Sequence, residues 1–152
     1  MEELKLSKEK AKKLFKDAPE WFQDILKSTF GHETFSGKII DRIKTFKDVC
    51  EELNKDPESF FSNGDTPDLV AYKKLKAIIL CINEGWYPDW DDVNQKKWYP
   101  WFKLSSGFGF DDSDYGYTDA YTAVGSRLCF ETKEKSDYVA QQFIDLYKDL
   151  LT

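Results

Sequence analysis

The sequence predicts an α+β fold: an N-terminal helical layer, a small antiparallel sheet of three or four strands, and a closing C-terminal helix. Three observations predict it. Apolar residues recur at helical spacing as far as Gly85. Beyond Gly85 that period gives way to Pro88, Pro100, several glycines and closely spaced aromatics, the texture of short strands and turns. A helical period then returns over Val139, Phe143, Leu146, Tyr147 and Leu150. These features give a single domain over residues 1–152, with a helical part over about 7–85 and the aromatic-rich sheet plus final helix over about 86–152.

Taken in order, Ser7 caps a short helix carrying Ala11, Leu14 and Phe15. Asp17 opens a second, with Pro19 in its first turn and Glu20 in the capping-box return position. Trp21, Phe22, Ile25, Leu26 and Phe30 form its apolar side, and Gly31 stops it. Residues 32–38 read as a polar loop. Thr45, answered by Asp48, caps a third helix with Phe46, Val49, Cys50 and Leu53 on its apolar stripe. Asp56-Pro57 opens a single helical turn ending near Phe61, and Ser62-Asn63-Gly64-Asp65 is turn chemistry. The longest helix starts at Thr66-Pro67-Asp68, runs to about Glu84 and buries Leu75, Ile78, Ile79 and Ile82; Lys73, Lys74 and Lys76 form its solvated face. Strands are expected over 97–104, 107–110, 117–124 and 126–130. In the last, Leu128 and Phe130 would share one face and Arg127 and Cys129 the other. The closing helix is capped near Ser136.

Composition narrows the functional classes. A chain of 152 residues buries roughly 70% of the surface its unfolded form exposes, enough for a core without disulfides or metal. The net charge of −6 argues against non-specific grip on nucleic acid, which needs clustered cations. Cys50, Cys81 and Cys129 are odd in number, lack CxxC spacing and sit in apolar segments, which suits buried reduced thiols and a cytoplasmic location. The stretch Met1 to Lys16 is charged and carries no apolar signal-peptide core, and no run is long enough to span a bilayer.

Catalytic chemistry is thinly represented. His32 is the single histidine and lies in a polar loop, so no hydrolase triad is supported. Gly107-Phe108-Gly109 lacks the third glycine of a dinucleotide fingerprint, and no phosphate-loop motif occurs. Two acidic clusters read as solvated loops: Asp89, Asp91 and Asp92, and Asp111, Asp112 and Asp114. Residues 111–116 have the glycine of a calcium loop, but Ser113, Tyr115 and Thr122 stand where oxygen ligands are needed, so no metal or other cofactor is expected. Residues 45–64 have the outline of a helix-turn-helix whose second helix would lead with Asp56 and Glu58, the wrong charge for a DNA groove.

The aromatic segment is the strongest functional lead. If strand 98–102 is regular, Trp98 and Phe102 point one way and Tyr99 and Trp101 the other, so not every ring can face one core. The candidate binding residues are Trp86, Tyr87, Trp90, Trp98, Tyr99, Trp101, Tyr115, Tyr117 and Arg127. Exposed rings beside polar residues anchor protein partners or stack on sugars and bases. Arg127, one of two arginines, would either pair with a carboxylate if buried or bind an anion beside the Gly125-Ser126 turn.

Several motifs also carry a family resemblance: Lys97-Trp98-Tyr99-Pro100-Trp101-Phe102, Ser106-Gly107-Phe108-Gly109-Phe110, Val124 to Phe130, and Gln142-Phe143 with Leu146-Tyr147. With Asp41 to Phe46 and Asn63 to Pro67, they resemble an uncharacterised family of small α+β proteins from Bacteroides-type bacteria and their phages or prophages. The resemblance implies a phage or mobile-element setting and no activity, and it assigns no functional residue. The expectation is therefore a non-catalytic binding or protein-interaction module using an aromatic-rich sheet and loop surface. The partner is another protein, with carbohydrate the next choice, nucleic acid disfavoured and no membrane contact. The alternatives are a carbohydrate- or nucleotide-acting enzyme using the Asp clusters, and a nucleic-acid-binding protein.

Overall fold

The computed structural model describes residues 5–35 and 37–152. The first four residues of the charged N-terminal stretch, and Ser36 in the expected polar loop, lie outside the described residues. The chain divides into two compact units, Met1–Ser59 and Phe60–Thr152.

The first unit is helical. Helix α1 (Lys8–Phe15) starts where Ser7 Oγ accepts from the Lys10 amide at 3.2 Å. Helix α2 (Glu20–Phe30) begins at Pro19, not at Asp17. Ala18 precedes a proline and is pushed away from the helical region, so the capping box expected at Asp17 cannot close. Gly31, at φ 90°, ends α2 with its amide on the Lys27 carbonyl. A short helix that the apolar spacing does not reveal, α3, spans Ile39–Arg42. Helix α4 (Phe46–Leu53) carries the expected capping box: Asp48 N donates to Thr45 Oγ1 at 3.2 Å and Thr45 N to Asp48 Oδ2 at 2.9 Å. Ala11, Leu26, Ile39, Ile43, Val49 and Cys50 form the buried centre. Trp21 and Ile25, assigned above to the apolar side of α2, are instead exposed. Residues Pro57–Phe60 make one 3-10 turn, too short to act as a recognition helix.

The second unit holds the long helix and the sheet. Helix α5 (Pro67–Ile82) buries Leu75, Ile78, Ile79 and Ile82, with Thr66 at its N-cap and Pro67 at its first position. Grouped above with the N-terminal helices, it packs within this unit against the C-terminal helix α7 (Ile144–Leu151). Strands β1 (Lys97–Lys103) and β2 (Gly109–Gly116) pair antiparallel, with an irregularity between Trp101 and Phe102. Helix α6 (Lys133–Gln142) covers one face of the pair. There the Ser113 and Ser136 hydroxyls meet at 2.7 Å, both buried, and the Phe102 and Tyr147 rings lie 4.6 Å apart.

The α+β class holds, but the described sheet has two strands, not three or four. Residues 117–124 form no strand: the Val124 amide turns back to the Tyr121 carbonyl at 3.0 Å. Residues 126–130 form none either. Gly125, at φ 57°, sends the chain into a 3-10 turn over Gly125–Arg127. Only Phe130 reaches β1, through a single bridge to Trp98 with amide–carbonyl contacts of 2.9 and 2.7 Å. The expected alternation fails with it, since Leu128, Cys129 and Phe130 are all buried. The second acidic cluster is not a loop: Asp111, Asp112 and Asp114 lie within β2. Extended backbone splays alternate side chains to opposite faces, which a calcium loop cannot tolerate. The closing helix is two helices, because Phe143 leaves helical geometry at φ −115° and ψ 33°. Its cap is Thr132, whose hydroxyl accepts from the Lys135 amide; Ser136 is buried inside α6. Among the described residues, no helix is long and apolar enough to cross a membrane.

Candidate functional site

The hairpin separates its aromatics by face. Tyr99 stands opposite Asp114 and Trp101 opposite Asp112. Phe102 packs on α7 and Ser113 on α6, whereas Tyr99 and Trp101 alternate to the opposite strand face, from which Asp112 reaches Lys133 of α6 at 3.0 Å. Tyr121, from the loop after β2, joins them there. Its ring lies 5.8 Å from Tyr99 and 5.6 Å from Trp101, at 80° and 77°, the edge-to-face arrangement aromatic quadrupoles favour. Tyr121 is 58% and Trp101 45% exposed. Burial chiefly, and then the charge of Asp114, push the Tyr99 phenol above its ordinary pKa, so it stays a neutral hydrogen-bonding group.

A second cluster lies at the open end of the opposite face. Trp98 and Tyr115 pair across the strands at 4.8 Å, and Tyr117 meets Tyr115 edge-on at 5.6 Å. The Lys96 ammonium sits 4.6 Å over the Tyr115 ring and 5.9 Å over Trp98, covering the outer faces of both.

The remaining candidates frame a cleft beside the C-terminal end of α5. Lys76, Ile79, Leu80 and Asn83 fall on one stripe of that helix and make the floor. Glu84 and Gly85 take left-handed conformations, φ 49° and 87°, and reverse the chain so that Trp86, Tyr87 and Pro88 form one wall. Ser126 and Arg127 form the other. The cleft volume is about 380 Å³. Its walls are tied in place. The buried Asn83 amide donates to the Cys129 carbonyl at 3.0 Å, and its oxygen accepts from the Glu131 amide at 3.2 Å. The Trp90 indole N–H donates to Ser126 Oγ at 2.6 Å. Gln95 accepts from the Asp89 amide and donates to the Tyr87 carbonyl. Lys97, 1% exposed, donates to the Gln95 carbonyl at 3.0 Å and lies 5.3 Å over the Trp90 ring.

The nine sequence-predicted residues thus divide among three places. Tyr99 and Trp101 sit on the outer face; Trp98, Tyr115 and Tyr117 at the open end; Trp86, Tyr87 and Arg127 line the cleft, with Trp90 behind its wall. Sequence reasoning missed Lys76, which it placed on a solvated helix face, and Leu80, which it did not single out. The available signal was their three-, four- and seven-residue spacing with Ile79 and Asn83. Arg127 is exposed and, among the described residues, no carboxylate is in ion-pair reach of it, so the buried ion pair weighed above does not form. The other arginine is the contrast: Arg42 Nη2 meets Glu52 Oε1 at 3.2 Å, with Lys12 on the same carboxylate.

Among the described residues, no group of three metal-binding side chains is close enough to hold an ion. The Lys133 ammonium, 3.0 Å from Asp112, holds that carboxyl below the usual range; a general acid needs the opposite shift. Burial raises the Cys129 thiol to about 11, which keeps it protonated and unreactive. No protein-family model matches the sequence, and neither the curated proteins nor the solved structures offer a match.

Proposed function

We propose that the protein is a non-catalytic interaction module that grips another protein with the outer face of its hairpin, in the phage or mobile-element setting the resemblance implies. One observation carries the reading. Tyr99, Trp101 and Tyr121 pack edge-to-face into a cluster on the strand face opposite Phe102 and Ser113, yet leave Trp101 and Tyr121 about half in water. Large rings held rigid by one another lose little entropy on binding and bring much contact area, which is why Trp and Tyr dominate interface hot spots. The Asp114 carboxylate stands on the same strand face, as does that of Asp112, which Lys133 already pairs. A partner segment with aliphatic side chains flanked by Lys or Arg matches that mixture of ring faces and negative charge.

A displayed library of random peptides, selected on the wild-type protein and counter-selected on a Trp101→Ala/Tyr121→Ala variant, tests the reading. The expected result is an enriched family of basic-aliphatic peptides, bound at least about tenfold more weakly by the variant while its circular dichroism shows the fold retained. Peptides that bind both proteins alike, or no enrichment at all, refute it.

A further inference from the structure

We propose that the cleft between α5 and the Gly125–Arg127 turn is a binding site for a small organic anion with a planar apolar body. It uses residues and a ligand class distinct from those of the sheet-face reading. The argument begins with charge. The chain carries a net charge of −6, yet the charged residues lining this cleft are Lys76 and Arg127, and no acidic residue lines it. Some cations of the unit meet carboxylates, as Lys73 does Asp65 at 2.7 Å and Lys135 does Glu131 at 2.8 Å, while Lys96 and Lys97 meet rings and backbone carbonyls. Here the Lys76 ammonium lies 5.8 Å over the Tyr72 ring, and neither it nor Arg127 has a carboxylate in ion-pair reach among the described residues. Both cations border one concavity, and an anion bound there would gain charge-assisted hydrogen bonds from the guanidinium fork.

The body of the ligand follows from the rest of the lining. Tyr87 is 67% and Leu80 44% exposed, and the Trp86 indole borders them. Ile79 and Leu80 in the floor beside the one aromatic wall suit a flat ring system, and about 380 Å³ lies within the usual span for small-molecule sites. The walls need no reordering on binding. Asn83 fixes residues 129–131 to α5, and the Trp90 indole fixes Ser126, so the two sides are held at their spacing before any ligand arrives. Arg127 is placed at the rim because Gly125 turns the chain there instead of continuing a strand.

Calorimetric titration with 2-naphthoate and with its neutral counterpart 2-naphthamide tests the site on the full chain, with amide chemical shifts to locate binding. The expected result is naphthoate binding that perturbs residues 76–88 and 125–127 and is at least about tenfold tighter than naphthamide binding. Arg127→Gln and Lys76→Gln should each remove most of that preference and leave thermal unfolding unchanged, since both side chains are exposed. The Trp101→Ala/Tyr121→Ala variant should bind naphthoate as the wild type does, which separates this site from the sheet face. Equal affinity for the acid and the amide, no naphthoate binding at ~10 mM, or an unchanged preference in both charge variants would overturn the proposal.

Discussion

Asn83 is the side chain on which the cleft's geometry depends, and replacing it has a calculable effect. Its amide is buried, 5% exposed, and makes two hydrogen bonds to backbone groups far along the chain: a donation to the Cys129 carbonyl and an acceptance from the Glu131 amide. Asn83→Ala removes both and leaves a buried carbonyl and a backbone N–H short of a partner. Each lost bond is worth about 1 kcal/mol net, and an orphaned buried group costs about 1–3 kcal/mol. The two together give an expected loss of about 2–4 kcal/mol, allowing for partial relief by entering water. In a unit of this size that lowers the unfolding midpoint by roughly 10–20 °C. Urea denaturation followed by tryptophan fluorescence measures it. Asn83→Asp sharpens the test. The carboxylate still accepts from Glu131 N but repels the Cys129 carbonyl; once protonated it can donate there. Burial raises the folded-state pKa of such a carboxyl above its unfolded value, so the charged form destabilises at neutral pH. That penalty disappears as pH falls through the folded-state pKa. The stability gap between wild type and Asn83→Asp should therefore narrow on going from pH 7 towards pH 4. A loss below ~0.5 kcal/mol for Asn83→Ala, or a gap that widens on acidification, would refute the view that this amide holds the 129–131 segment to α5.

Two further outcomes follow from the same unit. The Ser113–Ser136 pair, at 2.7 Å and fully enclosed, joins β2 to α6. Each single change to Ala should cost about 1–2 kcal/mol by orphaning the other hydroxyl, and the double change should cost less than the sum; a chemical-denaturation double-mutant cycle giving strict additivity would show the pair uncoupled. Asp65 is held below its ordinary carboxyl pKa of 3.8 by the Lys73 ammonium first and the Ser62 amide second. Its stabilising effect should be present above that value and fade as pH falls through the lower folded-state pKa. Asp65→Asn should then be less stable than wild type at pH 7 and equal to it in strong acid, as read from thermal midpoints across pH.

What the sequence made legible was local. The Thr45–Asp48 box, the Ser7 cap and the Gly31 stop depend on residues three or four apart, and all three form. The opposite facing of Trp98 with Phe102 and Tyr99 with Trp101 follows from strand geometry alone, and it too is present. Strand number is not local, because a strand exists only where another offers an edge. Residues 117–124 have strand-like composition but turn back on themselves at Tyr121, and 126–130 keep a single bridge because Gly125 bends the chain first. Asp111 to Asp114 look like a loop by composition yet lie in β2, since pairing with β1 decides the backbone there. The cleft was invisible for the same reason. Its two sides, 76–88 and 126–127, are far apart in the chain and are tied through Asn83 and Trp90 among others, whose partners no spacing rule identifies.

The two arginines show how far residue type leaves a role open and what decides it. Both offer the same planar fork. Arg42 and Glu52 are each mostly enclosed, with side chains 14% and 13% exposed, and a charge removed from water there needs its counter-charge in place. Arg127 is exposed beside the cleft, with no carboxylate in ion-pair reach among the described residues. Their substitution by glutamine should accordingly separate two properties. Arg42→Gln leaves Glu52 with less compensation and lowers the unfolding midpoint, while Arg127→Gln leaves the midpoint alone and changes only what the cleft attracts.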